Sequence, residues 1–237
     1  MFTLDEVIPW GRSFDEYRRM FALTDDDLRS TILGCADGPA SFNAEATRRG
    51  MTVVSCDPLY RLDARQIQHR IDAICDQVLD QTRRNADEFV WDTIASVEQL
   101  GRVRMQAMRI FLEDYESGRA ERRYIDAELP ALPFPDASID LALCSNLLFL
   151  YTTRLDESFH LAATREMCRV ASEVRIFPLV DFGNRLSPYV DPVVHALRDV
   201  GYRASIEVVP YEFQKGGNQM LRLALPKKSF GALWGRS

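Results

Sequence analysis

Four short stretches of the chain carry groups that could bind or react. Gly34-Cys35-Ala36-Asp37-Gly38-Pro39 is a turn bracketed by glycines, between an apolar run and a helical pattern. Glycine lets backbone approach a ligand closely, and the free N–H groups of a following helix can bind a carboxylate or phosphate. Pro39 suits a first helical turn, because the N–H it lacks would be unpaired there anyway. Asp57 ends the next apolar run, where an open α/β nucleotide fold sets an acid on ribose hydroxyls. Asp126 and Glu128 precede the loop Pro130-Ala-Leu-Pro-Phe-Pro-Asp136, and Ser145-Asn146 follow the run Ile139–Cys144. None of the histidines (His69, His160, His195) falls in a loop after a predicted strand, so an imidazole base is not expected. The five cysteines lack C-x-x-C spacing and read as reduced, mostly buried thiols, with no metal site expected.

Such groups need a frame. Ser13-Phe-Asp-Glu16 fits a capping box, and Tyr17, Met20 and Phe21 follow at helical spacing, predicting a helix at about 13–23. Thr31–Gly34, the glycine turn, a helix over Ala40–Arg49 and the β-rich run Met51–Cys56 then make a βαβ unit. Residues 61–118 interrupt the alternation with two long helical patterns, Ile67, Ile71, Ile74 and Val78 in one, Leu100, Met108, Phe111 and Tyr115 in the other. Strands are expected at Tyr124–Leu129, Ile139–Cys144 and Glu173–Val180, with helices at about 156–170 and 189–200. The last runs, Ala204–Val209 and Met220–Ala224, are joined by about ten residues, enough for a hairpin and too few for a crossover helix. The expectation is one domain over 1–237: α/β, a doubly wound seven-stranded sheet with an antiparallel C-terminal hairpin and a helical insertion at 61–118.

The insertion leaves the sheet on its carboxyl-end side, so it can fold over the crevice as a lid or pair with a second subunit in a homodimer. Its Arg102, Gln106 and Arg109 share one face at i, i+4, i+7, which fits a clamp on an anionic group and equally an ordinary solvated face.

With 237 residues, 46% hydrophobic and 27% charged, the chain has globular composition rather than a disordered or fibrous one. Its 29 Lys plus Arg against 35 Asp plus Glu, net charge −6, argue against a nucleic-acid footprint. No apolar run reaches the roughly 18 residues of a membrane span, and the first residues carry acids where a signal peptide needs cations. A soluble cytoplasmic protein is expected.

The four stretches, in this order, resemble the class I S-adenosylmethionine (SAM) dependent methyltransferases. The match rests on Leu33-Gly-Cys-Ala-Asp-Gly38, on Val54-Ser-Cys-Asp57, on Glu128 through Leu132-Pro-Phe-Pro-Asp136, and on Ile139-Asp-Leu-Ala-Leu-Cys-Ser145-Asn146, with the terminal hairpin beside them. The resemblance implies SAM as cofactor and transfer of its methyl to an O or N atom of a small-molecule acceptor. It places Gly34, Cys35, Ala36, Asp37 and Gly38 along the methionine part of SAM, Asp57 on the ribose, Pro58 beside the adenine, and Glu128 with Leu129 near the adenine amino group, Asp126 competing with Glu128. Ser145 is placed near the methyl group, and Tyr17, Asn146 and Tyr151, with Arg102 and Arg109 of the insertion, are the acceptor-pocket candidates. Two family positions differ, since Ile32 stands where an acid and Ala36 where a second glycine is usual. That departure motivates a second reading, a SAM-fold protein without catalysis that serves as a partner-binding or regulatory subunit.

Overall fold

The computed structural model describes residues 8–225. Its core is the parallel sheet, whose strands β1 (Thr31–Cys35), β2 (Thr52–Cys56), β3 (Tyr124–Ile125), β4 (Ile139–Ser145) and β5 (Ala171–Phe177) are joined by crossovers. The hairpin strands β6 (Arg203–Val208) and β7 (Gln219–Ala224) complete a seven-stranded sheet in the order β3-β2-β1-β4-β5-β7-β6. Neighbours from β3 through β5 run parallel, whereas β7 is antiparallel to both β5 and β6. This is the doubly wound seven-stranded architecture with reversed hairpin that the residue pattern led one to expect.

Alternation along the strands explains the layers. Ile32, Leu141, Leu143 and Phe177 pack with Phe14, Tyr17, Met20 and Phe42, from α1 (Phe14–Met20) and α2 (Phe42–Arg48). Leu33, Cys35, Ala142, Cys144 and Ile176 face the opposite way, onto α5 (Glu157–Val170) and α6 (Val190–Asp199). The insertion forms α3 (Ala64–Arg84) and α4 (Val97–Ala120), which build a third cluster with Tyr60 and Tyr124. Capping is as the sequence reads: Ser13 and Glu16 close a reciprocal box on α1, and Asp63 and Gln66 do so on α3.

Two strands differ from expectation. β3 spans two residues rather than continuing to Leu129, because the chain leaves the sheet edge into a bend with an isolated bridge between Glu128 and Ala131. β5 begins at Ala171 and stops at Phe177, before the Pro178 that removes a ladder donor. The growth of the sheet reverses between β1 and β4, and loops diverging there leave a crevice at the strands' carboxyl ends.

Candidate functional site

That crevice is a cavity enclosing about 1160 Å³, its mouth included. Ligand sites typically occupy ~300–1,000 Å³. One flank comes from β1, β2 and the turn between β1 and α2. Ala36 (φ +57) and Gly38 (φ +51) both take the left-handed conformation, which folds residues 36–39 back toward β2. Asp57 holds the turn in place: its Oδ2 accepts the Gly38 N–H at 2.8 Å and its Oδ1 the Leu59 N–H at 2.8 Å. The Tyr60 hydroxyl donates to the Gly38 carbonyl at 2.7 Å. Burial pushes Asp57 up to about 6 against the pull of those N–H groups, and the Glu128 and Asp126 charges add to the rise.

Asp37 does different work. Its carboxylate turns back beneath the turn and accepts the Tyr17 hydroxyl at 2.7 Å and the Ser55 hydroxyl at 2.6 Å. A Cβ on Gly34 would stand 1.7 Å from Asp37 Oδ2, so the first glycine exists to make room for this acid. Burial pushes Asp37 up to about 6 despite the two hydroxyls. One side chain thus ties α1, β2 and the turn together.

The other flank starts at the end of β4. The Asn146 N–H donates to the Phe177 carbonyl at 2.7 Å with Asn146 at φ +56, and its Nδ2 donates to Ser145 Oγ at 2.7 Å. Asn146 Oδ1 accepts from Arg12 Nη2 at 3.2 Å, while Arg12 Nη1 donates to the Trp10 carbonyl. The chain before α1 is seated on the glycine turn. A Cβ on Gly11 would meet the Pro39 carbonyl oxygen at 2.1 Å, and the Ser41 N–H donates to the Arg12 carbonyl at 3.0 Å.

Beyond Arg12 the wall is aromatic and apolar. Tyr151 meets Phe182 edge to face at 4.9 Å, and Phe89 stacks on Phe213 at 4.9 Å. Val78 and Thr82 of α3 and Leu100 of α4 close this end, so the insertion covers the crevice. Asn184 Nδ2 donates to the Glu88 carbonyl at 2.9 Å, whereas its buried Oδ1 has no donor among the described residues.

A buried ion pair fastens the insertion to α1. Leu100, Arg104, Ala107, Met108, Phe111 and Tyr115 form the inward stripe of α4, and Arg104, fully buried, meets Glu16 at 2.5 Å. The Tyr211 hydroxyl donates to the other Glu16 oxygen at 2.8 Å. Glu16 is held down at about 2, its burial being outweighed by the Arg104 and Arg12 guanidiniums. Arg104 Nε and Nη2 have no acceptor among the described residues. Burial and the like charge of Arg104 lower the Arg12 pKa.

The structure brings Ala36, Asp37, Gly38, Asp57, Ser145, Tyr17, Asn146 and Tyr151 to this one cavity. Gly34 and Cys35 lie behind it in β1, where Cys35 packs into the core against α5 and α6. Pro58 opens the short turn Pro58–Arg61 that presents the Leu59 N–H to Asp57. Leu129 is buried in the core rather than in the cavity, and Glu128 and Asp126 are exposed on the loop after β3; both acids act on Asp57 through charge. Arg102 and Arg109 correct the clamp reading. They lie on the exposed face of α4, where Arg109 donates to Gln106 at 2.6 Å, while Arg104 takes the inward position two residues on from Arg102. Sequence reasoning missed Arg12, Arg104 and, of the aromatic wall, Phe89, Phe182 and Phe213. The one available signal was Arg104 at the i+4 position of the apolar stripe begun by Leu100.

No protein-family model matches the chain. Among solved structures, it is similar to a SAM dependent methyltransferase from Aquifex aeolicus, at 13% identity, covering 88% of this chain and 90% of that one, with a TM-score of 0.42. It is similar also to the magnesium protoporphyrin IX methyltransferase of Synechocystis PCC 6803 with bound SAM, at 11% identity, 90% and 91% coverage, and a TM-score of 0.44. Among curated proteins, the uncharacterized protein MJ0045 of Methanocaldococcus jannaschii is 32% identical over 224 residues, 92% of this chain and 96% of its own length. Identity at that level over nearly both full lengths means that this chain belongs to the same family as MJ0045.

Proposed function

We propose that the protein is a SAM-dependent methyltransferase acting on an O or N atom of a small-molecule acceptor. The observation that carries this reading is Asp57, a half-buried carboxylate at the end of β2 that lines the cavity beside an open turn. Each of its oxygens accepts one backbone N–H and keeps capacity for a sugar hydroxyl. A Cβ placed on Gly38 would have only Asp57 Oδ2 within 4 Å, at 3.9 Å, so there is room at the turn for a ligand to lie against backbone. The residues present therefore fit an adenosyl ligand, with Asp57 on the ribose and Ala36, Asp37 and Gly38 along the methionine part.

When bound, SAM supplies a methyl group already activated on a sulfonium. The chain's task is to hold donor and acceptor in line, a contribution of roughly 7–11 kcal/mol. The turn and Asp57 fix one end, while Ser145 and Asn146 fix the opposite flank. Trp10 offers an aromatic ring suited to a nearby cation, whereas the Tyr17 ring is stacked on Phe42. Val78, Thr82 and Leu100 of α3 and α4 wall off one end from solvent. No histidine lines the cavity among the described residues, and His160 is buried with its Nε2 accepting the Phe149 N–H at 3.0 Å. Positioning, rather than an imidazole base, is what this site offers.

Calorimetric titration with S-adenosylhomocysteine tests the reading. The wild-type protein should give saturable heat, and Asp57→Ala should weaken binding by about 10–100-fold, the equivalent of hydrogen bonds to a charged group. Unchanged affinity in Asp57→Ala would make the acid a turn former only. Absence of saturable heat from both SAM and S-adenosylhomocysteine in the wild type would favour the partner-binding reading.

A further inference from the structure

Among the described residues, the charges packed around α1 do not balance. The charge of Arg104 reaches Arg12, and the carboxylate that both guanidiniums act on is that of Glu16. Its oxygens are taken by Arg104, Ser13 and Tyr211. Arg12 makes no ion pair with any carboxylate among the described residues, and its hydrogen bonds go to neutral oxygens of Trp10 and Asn146. Among the described residues the cluster thus holds two guanidiniums, buried Arg104 and half-buried Arg12, against one carboxylate, and two nitrogens of Arg104 lack acceptors. An uncompensated buried cation is costly unless an anion completes it.

Arg12 is the member of this cluster that lines the cavity. The Trp10 carbonyl and Asn146 Oδ1 fix its fork on the β4 flank, away from Asp57, and a guanidinium's remaining N–H groups suit two parallel hydrogen bonds to one carboxylate. Beyond stand Trp10, Tyr151, Phe182, Phe89 and Phe213, rings that suit a flat apolar body, with Asn184 and Gln214 between them to take a polar substituent at its far end. Resting on the methyltransferase reading, we propose that the acceptor is a flat, apolar carboxylic acid and that Arg12 is the residue that selects its acid group.

The test titrates 2-naphthoate and its neutral counterpart 2-naphthamide into the full chain saturated with S-adenosylhomocysteine, so that the nucleotide's own carboxylate is already in place. The acid should bind about tenfold or more tighter than the amide, the scale of one charge-assisted contact. Arg12→Gln should shrink that preference to about threefold or less while S-adenosylhomocysteine affinity stays within about threefold, and Arg12→Lys should keep an intermediate preference. Thermal melts of both variants confirm folding. Equal affinity for acid and amide, or no binding of either, overturns the proposal. So does a loss of S-adenosylhomocysteine affinity in Arg12→Gln equal to the loss for naphthoate, which would assign the guanidinium to the aminoacyl end of the donor. If S-adenosylhomocysteine itself fails to bind, the methyltransferase reading falls, and the same titration on the protein alone decides the anion site separately.

Discussion

The two ends of the cavity are built by different means. The Asp57 end comes from a compact stretch, 34–60, held by backbone hydrogen bonds between adjacent parallel strands and the turns that leave them. The aromatic end gathers side chains from Trp10, the insertion, the segments after β4 and β5, and the loop before β7, far apart in sequence. Sheet topology fixes the first, since β1 and β2 cannot pair without bringing Asp57 beside Gly38. The second depends on loops, which can change shape and composition without disturbing the strands beneath. A constant binding end and an adjustable one follow from that division.

The largest effect is expected where the two ends are joined. Glu16→Gln or Arg104→Met should cost about 3–5 kcal/mol in denaturant unfolding, because each leaves its partner buried without compensation. Replacing both with apolar residues should cost less than either alone. Since Glu16 is held down at about 2, its stabilisation is full above its ordinary range near 4.5 and is lost as pH falls toward 2. The gap between wild type and Glu16→Gln should close over that interval, and a pH-independent gap would show that the pair's charge is not its contribution.

A middle-sized effect separates the ends by pH. Asp57 is raised to about 6, so S-adenosylhomocysteine should bind about tenfold more weakly at pH 5 than at pH 7.5 as the ribose acceptor is protonated. For stability the sign is opposite to that of Glu16. Raised carboxyls at Asp37 and Asp57 favour the protonated folded state, so their contribution diminishes as pH rises from about 4 through 6. Affinity flat across this range would detach Asp57 from the ligand.

The smallest effect belongs to the outer face of α4. Arg102→Ala and Arg109→Ala should each leave stability within about 0.5 kcal/mol and ligand affinities unchanged, as expected for exposed, solvent-screened charges. A loss of acceptor binding in either variant would return the insertion arginines to the site and weaken the claim of Arg12.

The Asp57 end was readable because its signals are local. The glycine turn, Asp57 and Ser145 each stand at or just past the end of a β-rich run, and strand periodicity needs no long-range information to place them at one edge. Tyr17 was legible as a helix residue, yet its bond to Asp37 depends on α1 crossing the turn, which sequence spacing does not encode. Arg102 and Arg109 misled because i, i+4, i+7 spacing identifies a shared face without telling which way the helix turns it. Leu100, Met108 and Phe111 pointed to the inward face, and Arg104 lay among them unremarked because arginine in an apolar stripe reads as noise until its partner is known. The acids of the loop after β3 are harder to place. The sequence pattern carries that strand to Leu129, but β3 ends at Ile125, so Asp126 and Glu128 stand exposed on the loop that follows.

The contact between Glu16 and Arg104 restricts how anything could get in or out. Swinging α4 away from α1 would strand opposite charges in an oily interior, a cost of several kcal/mol for every passage. The two long rods are thus better described as fixed masonry than as a door. The connection 85–96 and the segment after β5 are held by lighter ties, the Val90 N–H on the Phe213 carbonyl and Asn184 Nδ2 on the Glu88 carbonyl among them, so turnover should respond to the length of those connections more than to the rods they join.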